Sequence, residues 1–178
     1  MVYYLVYANI RRRRMKFRES IINADSMKLT EIMQPNLIKV PLEGTNKESV
    51  ITELVDLLDA NGLLDDRDVV LEAVMKREQT RSTGIGSGIA VPHGKCNSVK
   101  ELVMSMGVAH KPIDFASVDG KGVTIVILLV SPLDKTGPHI QALAKISKLM
   151  LDKQFKEAVE KTASAEELYE FISAKENE

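Results

Sequence analysis

Apolar residues recur at helical spacing over most of the chain from Met27 onward, and they predict four helices. The clearest stretch follows Gly44, where Thr45 and Glu48 have the spacing of a capping box. Asn61-Gly62 is a typical C-terminal cap. Between these signals the apolar positions fall on one helical face at Val50, Ile51, Leu54, Val55 and Leu58.

Three further helices are predicted by the same spacing. One begins near Asp66, one has Pro138 in its first turn, and one follows Ser164, with Glu167 as its capping partner. Their predicted buried positions are Val69, Val70, Ala73 and Val74 in the first, Ile140, Leu143, Ala144, Ile146, Leu149 and Met150 in the second, and Leu168, Phe171 and Ile172 in the third.

Short apolar runs without helical spacing predict strands at residues 37–42, 89–91, 102–109 and 123–130. A turn is predicted at Lys111-Pro112, after the third of these strands. The run VTIVILLV at 123–130 is almost wholly apolar, which is typical of a central strand covered on both faces. Since strands alternate with helices, we predict an α/β fold. Its mainly parallel mixed sheet is flanked by helices on both faces, in a single domain over residues 27–178.

Composition is that of an ordinary globular protein, with 44% hydrophobic and 28% charged residues in 178. Aromatic residues are only 4%, so the core is expected to be aliphatic. The single cysteine, Cys96, cannot form an internal disulfide, and no run of 18 apolar residues is present. We therefore expect a cytoplasmic protein with no membrane insertion.

Charge divides the chain at residue 26. Residues 1–26 carry a net +4 with a cluster from Arg11 to Arg14, whereas residues 27–178 carry −5. An acidic domain is not expected to bind nucleic acid. The basic extension has three interpretations: a patch for RNA or anionic lipid, a disordered tail, or a segment that is not translated because synthesis begins at Met27.

The glycine loop TRSTGIGSGIAVPHGK, residues 80–95, fits neither common phosphate-binding pattern. Gly84, Gly86 and Gly88 lack the GxGxxG spacing, and the stretch from Gly88 has the wrong spacing and a cysteine in place of the magnesium-binding hydroxyl of a P-loop. The histidines and Cys96 lack metal-ligand spacing, and no GxSxG elbow is present. We therefore expect no metal site.

His93 remains as a candidate nucleophile, because it follows the glycine loop at the end of an apolar run. His139 follows Pro138 at a predicted helix start, where the helix dipole favours an anion. Arg81 opens the glycine loop and can donate to phosphate. If the two preceding strands are parallel neighbours, both rings meet at one sheet edge and suit a phosphorylated histidine.

These residues, with VTIVILLVSPLDKTGPHIQALAKISKLM at 123–150, resemble enzyme IIA of the phosphoenolpyruvate-dependent sugar phosphotransferase system. The class is the fructose/mannitol type, which includes the nitrogen-regulatory enzyme IIA. The resemblance implies that His93 accepts the phosphoryl group and that His139 and Arg81 bind it. It assigns no function to Cys96 or to His110, which we expect to lie in a turn, and it requires no cofactor.

The implied partners are the phosphocarrier HPr and an enzyme IIB domain or subunit of a sugar permease. An alternative is a stand-alone regulatory protein, in which phosphorylation of His93 controls binding to protein targets. A third alternative is an unrelated α/β enzyme with a small substrate. The sequence names no sugar and no oligomeric state.

Overall fold

A six-stranded mixed sheet forms the centre of the protein in the computed structural model, which describes residues 27–177. The predicted basic extension, residues 1–26, lies outside the described residues. The strands are β1 Ile38–Lys39, β2 Gly84–Gly86, β3 Ile89–Ala90, β4 His93–Lys95, β5 Val103–Ile113 and β6 Val123–Ser131. Their order is β1-β5-β6-β3-β2, with β4 also paired to β6.

Three of the five pairings among the described strands are parallel: β1 with β5, and both β3 and β4 with β6. The long pairing of β5 with β6 is antiparallel, as is that of β2 with β3. β3 and β4 run along the same edge of β6 and are separated by Val91-Pro92. The predicted α/β class with a mainly parallel mixed sheet is confirmed.

Five α-helices within residues 27–177 pack on this sheet: α1 Lys47–Ala60, α2 Arg67–Thr80, α3 Thr136–Leu151, α4 Lys153–Lys161 and α5 Ala165–Glu176. Two short 3-10 helices, Leu29–Glu31 and Pro35–Leu37, precede β1. The predicted helix starts at Asp66 and Ser164 are confirmed by their side-chain caps. At α1 the prediction is wrong by one residue, because Asn46 and Ser49 form the capping box in place of Thr45 and Glu48.

Other local predictions also need correction. The strand predicted at 37–42 is only two residues long, and β5 continues through Lys111-Pro112, where a turn was expected. His110 therefore lies on an exposed part of β5 and not in a turn. Val69 and Ile140 were predicted to be buried, but they are 42% and 39% exposed. None of the helices within residues 27–177 has the length and apolarity of a membrane span.

Candidate active site

His93 begins β4 immediately after the break between β3 and β4. Its Nδ1 lies 2.8 Å from the carbonyl oxygen of Val91. Because a carbonyl oxygen can only accept a hydrogen bond, Nδ1 carries the proton in the neutral ring and Nε2 carries the lone pair. The half-buried ring therefore presents a nucleophilic nitrogen on the edge turned away from the main chain.

Arg77 is the residue that contacts this nitrogen. It lies in the last turns of α2, and its Nε donates to His93 Nε2 at 3.1 Å. Arg77 is not among the site residues predicted from the sequence. Val70 and Val74 are buried on the face of α2 that packs toward the sheet, and Arg77 follows Val74 by three residues. This spacing places it on the same side of the helix and was an available signal.

Arg81, the arginine chosen from the sequence, is the C-terminal cap of α2 and is exposed. Its carbonyl oxygen accepts a hydrogen bond from Arg77 Nη1 at 2.9 Å. The Arg81 side chain lines a 410 Å³ cavity that also includes Arg77 and His93. The structure thus brings Arg81 to the site, but it is Arg77 that bonds to the His93 ring.

His139 lies in the first turn of α3, and only 5% of it is exposed. Its ring centroid is 5.6 Å from that of His93, so the two predicted histidines are brought together. Both rings line a second cavity of 490 Å³. Nδ1 of His139 makes a buried contact, 2.8 Å from the hydroxyl oxygen of Ser131, the last residue of β6.

The elements around the rings are held by short contacts. Gly94 allows β4 to approach α2, since a Cβ at this residue would lie 3.0 Å from Val74 Cγ2. On the other side, Lys95 Nζ donates to the Leu133 carbonyl at 2.9 Å and to the hydroxyl of Thr136. Lys95 thereby links β4 to Leu133 in the loop before α3 and to Thr136, the first residue of α3.

A buried ion pair shapes the turn that follows α2. Glu78 is 6% exposed, and its carboxylate accepts from the backbone N–H and the hydroxyl of Thr83. Lys47 Nζ lies 2.9 Å from the same carboxylate and 5.7 Å from the centroid of the Phe115 ring. Because Glu78 adjoins Arg77 in sequence, this network also fixes the part of α2 that carries Arg77.

Both histidines are neutral at neutral pH. Burial lowers the pKa of His93, and the nearby Arg77 charge lowers it further, against the opposing effects of the Val91 carbonyl and Glu78. Burial lowers the pKa of His139 to about 4, with added repulsion from His93 and Lys95. An uncharged imidazole keeps a free lone pair, which nucleophilic attack requires.

The described residues contain no group of three metal-ligating side chains. Cys96 is buried and free. His110 lies near the end of β5 that pairs with the start of β6, whereas His93 pairs beside Leu129 near the end of β6. The groups that the structure brings together here are the two imidazoles and the guanidinium of Arg77.

Exposed apolar side chains surround the pair of rings. Ile85 and Val118 line the cavity of Arg77 and His93, and Ile140 lines the cavity shared by the two histidines. Leu133 is 53% exposed beside the Lys95 contact. These four side chains form an apolar rim beside the rings, and grouped exposed apolar side chains are typical of a surface that binds another protein.

Comparison with known proteins finds sequence relatives over most of this chain. Residues 31–175 match the family model for the phosphoenolpyruvate-dependent sugar phosphotransferase system, EIIA 2. The fructose-specific EIIABC component of Bacillus subtilis is 33% identical over 147 residues, which are 83% of this chain. The chain spans only 23% of that relative.

Two other relatives are close to this chain in length. A nitrogen regulatory protein of Klebsiella oxytoca is 32% identical, with 86% of this chain and 95% of the relative covered. The crystal structure of nitrogen regulatory protein IIA-Ntr from Neisseria meningitidis superposes with a TM-score of 0.74 at 30% identity. That superposition covers 80% of this chain and 97% of the other.

Proposed function

This chain belongs to the EIIA 2 family of the phosphoenolpyruvate-dependent sugar phosphotransferase system, and from this premise we propose that His93 is its phosphoryl acceptor. Members of the family transfer phosphoryl groups from protein to protein. The proposal rests on the 2.8 Å contact between Nδ1 of His93 and the carbonyl oxygen of Val91. This contact holds the ring proton on Nδ1 and leaves Nε2 unprotonated.

The reaction needs no proton and no water. Nε2 of His93 attacks the phosphorus of a phosphohistidine on HPr in line, and the N–P bond of the donor breaks as the new N–P bond forms. The bonding electron pair returns to the ring nitrogen of the donor. Enzyme IIB then attacks the phosphorus in the same way. Positioning and charge stabilisation supply the catalysis, as in other phosphoryl transfers.

Arg77 has to release the Nε2 lone pair before attack. Its guanidinium lies 3.1 Å from that nitrogen, so a small rotation transfers the N–H groups to the incoming phosphoryl oxygens. Arg81 lines the same cavity and adds positive charge. His139, whose ring centroid is 5.6 Å from that of His93, donates a further hydrogen bond to the phosphoryl group.

We infer HPr and an enzyme IIB as partners, docking on the apolar rim. The Bacillus relative is named as a joined EIIABC component, which supports an enzyme IIB as the recipient. A regulatory role is the second candidate, because this chain covers 95% of a relative named as a nitrogen regulatory protein. The proposed location is the cytoplasm, which fits a free cysteine and these partners.

The direct test incubates the purified protein with phosphoenolpyruvate, enzyme I and HPr. We expect an acid-labile phosphate on the wild-type chain and none on His93→Ala. His139→Ala should accept phosphate but pass it to enzyme IIB slowly. An unlabelled wild-type chain, in the presence of HPr that phosphorylates another enzyme IIA, would contradict the proposal.

A matched pair of variants distinguishes the contributions of Arg77 and Arg81 to phosphoryl transfer. Arg77→Gln removes the donor at Nε2, and we expect labelling to slow by about tenfold or more, the loss of one charged hydrogen bond. Arg81→Gln leaves that donor in place and should slow labelling less. Equal losses in the two variants would show that Arg81 holds the phosphoryl group as firmly as Arg77 does.

A further inference from the structure

Ser131 is a buried serine whose hydroxyl contacts the second histidine of the site. It ends β6 and has no exposed surface, and its Oγ lies 2.8 Å from Nδ1 of His139. The distance alone allows two arrangements. Either the hydroxyl donates to an unprotonated Nδ1, or a protonated Nδ1 donates to the hydroxyl oxygen.

The surroundings of Ser131 decide between them. Within residues 27–177, Nδ1 of His139 is the partner found for this hydroxyl. If Oγ accepted the bond from Nδ1, its own proton would be buried with no acceptor among the described residues. Leaving a buried donor unpaired is costly, so the hydroxyl donates and Nδ1 accepts. The neutral ring then carries its proton on Nε2.

We propose that Ser131 is a positioning residue that holds His139 in the Nε2–H tautomer, which makes that ring a hydrogen-bond donor to the phosphoryl group on His93. This inference rests on the proposed function. Val91 sets the opposite tautomer in His93, with the proton on Nδ1. The two neutral rings, 5.6 Å apart, therefore differ at Nε2, which carries a lone pair in His93 and a proton in His139.

Nitrogen NMR of the histidine rings tests the proposal without any transfer assay. In the wild-type protein at pH 7 we expect His139 to show an unprotonated Nδ1 and a protonated Nε2. In Ser131→Ala the Nδ1 resonance should be displaced, because that nitrogen loses its donor and the second tautomer becomes populated. Ser131→Thr keeps the hydroxyl and should restore the wild-type resonance.

Ser105 provides a matched control. It is equally buried, in the adjacent strand β5, and its hydroxyl donates to the carbonyl of Leu54 at 3.0 Å. Ser105→Ala therefore removes a comparable buried hydroxyl, but it should leave the His139 resonances unchanged. A protonated Nδ1 in wild-type His139, or an unchanged Nδ1 resonance in Ser131→Ala, would overturn the proposal.

Transfer from the phosphorylated protein to enzyme IIB gives the second measurement. We expect Ser131→Ala to slow it by about three- to tenfold, the effect of one misdirected hydrogen bond, with recovery in Ser131→Thr. Labelling of His93 by HPr is measured in the same samples. Normal labelling and normal transfer in Ser131→Ala would overturn the role of Ser131 and leave the proposed function intact, whereas absent labelling of the wild type would refute the function itself.

Discussion

Two side chains of the same type receive different properties from their nearest neighbours. His93 is half-buried between a backbone carbonyl and a guanidinium, and His139 is buried against a hydroxyl. The sequence indicated which two histidines meet. It did not indicate which nitrogen of each is protonated, because that depends on atoms that only folding brings within 3 Å.

The low pKa of His139 predicts a pH-dependent stability. In the unfolded chain the ring takes up a proton near pH 6.5, whereas in the folded protein it does so at about pH 4. The unfolded state therefore binds more protons between these values, and stability falls as the pH is lowered through this window. We expect a loss on the order of 2–3 kcal/mol from this group.

Urea unfolding at pH 7, 6, 5 and 4 measures this loss, with His139→Gln as the reference. Carboxylates titrate in both proteins toward the acid end, so the difference between the two curves isolates the histidine. A constant difference from pH 7 to pH 4 would show that His139 is not held neutral by burial.

The two arginines show why the sequence indicated the place of the candidate site but not every residue that contacts His93. Arg81 was chosen because it is next to the glycine loop in sequence. Arg77 lies further from the loop along the chain, but the rise of α2 carries it over the start of β4. The sequence predicts that Arg77 lies on the same face of α2 as Val74. It does not predict that this face of α2 packs against β4.

At the scale of single elements, the start of α1 gives a direct test of the corrected cap. Asn46 accepts the N–H of Ser49 at 2.8 Å, and the Ser49 hydroxyl accepts the N–H of Asn46. We expect Asn46→Ala to cost about 1 kcal/mol of unfolding free energy. Thr45→Ala, at the residue predicted from sequence, should cost much less. If thermal unfolding shows that Thr45→Ala costs as much as Asn46→Ala or more, Asn46 is not the main cap of α1.

The contact between β4 and α2 depends on Gly94. A Cβ there would lie 3.0 Å from Val74 Cγ2 and 3.1 Å from the Val74 nitrogen. Gly94→Ala should therefore push α2 away from β4, at a cost of about 1–3 kcal/mol, and weaken the bond from Arg77 to His93. Melting temperature and the rate of His93 labelling are both expected to fall.

Gly137 serves as the control, because a Cβ at this residue in the first turn of α3 would meet nothing within 4 Å. Gly137→Ala should preserve stability and labelling. If both variants behave alike, the close approach of β4 and α2 does not organise the site.

The extent of β5 shows where element prediction from sequence fails. The sequence predicts a turn at Lys111-Pro112, after the apolar run that ends at Ala109. Along β5, however, β1 pairs only at Met106 and Gly107. The rest of that edge lacks a paired strand among the described residues, so proline is tolerated there. Whether a strand tolerates a proline depends on the strands beside it, and the sequence of one segment does not reveal those strands.

At the scale of the whole molecule, the apolar rim is expected to act as a docking surface. Ile140 is 39% exposed and lines the cavity of the two histidines. Ile140→Ser should change stability by no more than about 0.5 kcal/mol but should raise the HPr concentration needed for half-maximal labelling severalfold. The reason is that docking loses an apolar contact next to the reacting ring.

Val69 is the matched control, since it is 42% exposed but lies in the first turn of α2, whereas Arg77 lies in the last turns. Val69→Ser should leave the HPr dependence at the wild-type value. A matching change in both variants would indicate a general surface effect and not a docking site.

The break between β3 and β4 has a consequence for how the site can change in evolution. The proton on His93 is directed by the Val91 carbonyl, a main-chain atom that every amino acid possesses. A substitution at residue 91 leaves that acceptor in place, so the nucleophile is robust to mutation there. The proposed tautomer of His139 depends on the side chain of Ser131, which a single nucleotide change can replace. If His93 accepts the phosphoryl group as proposed, selection can tune how firmly that group is held without altering the atom that accepts it.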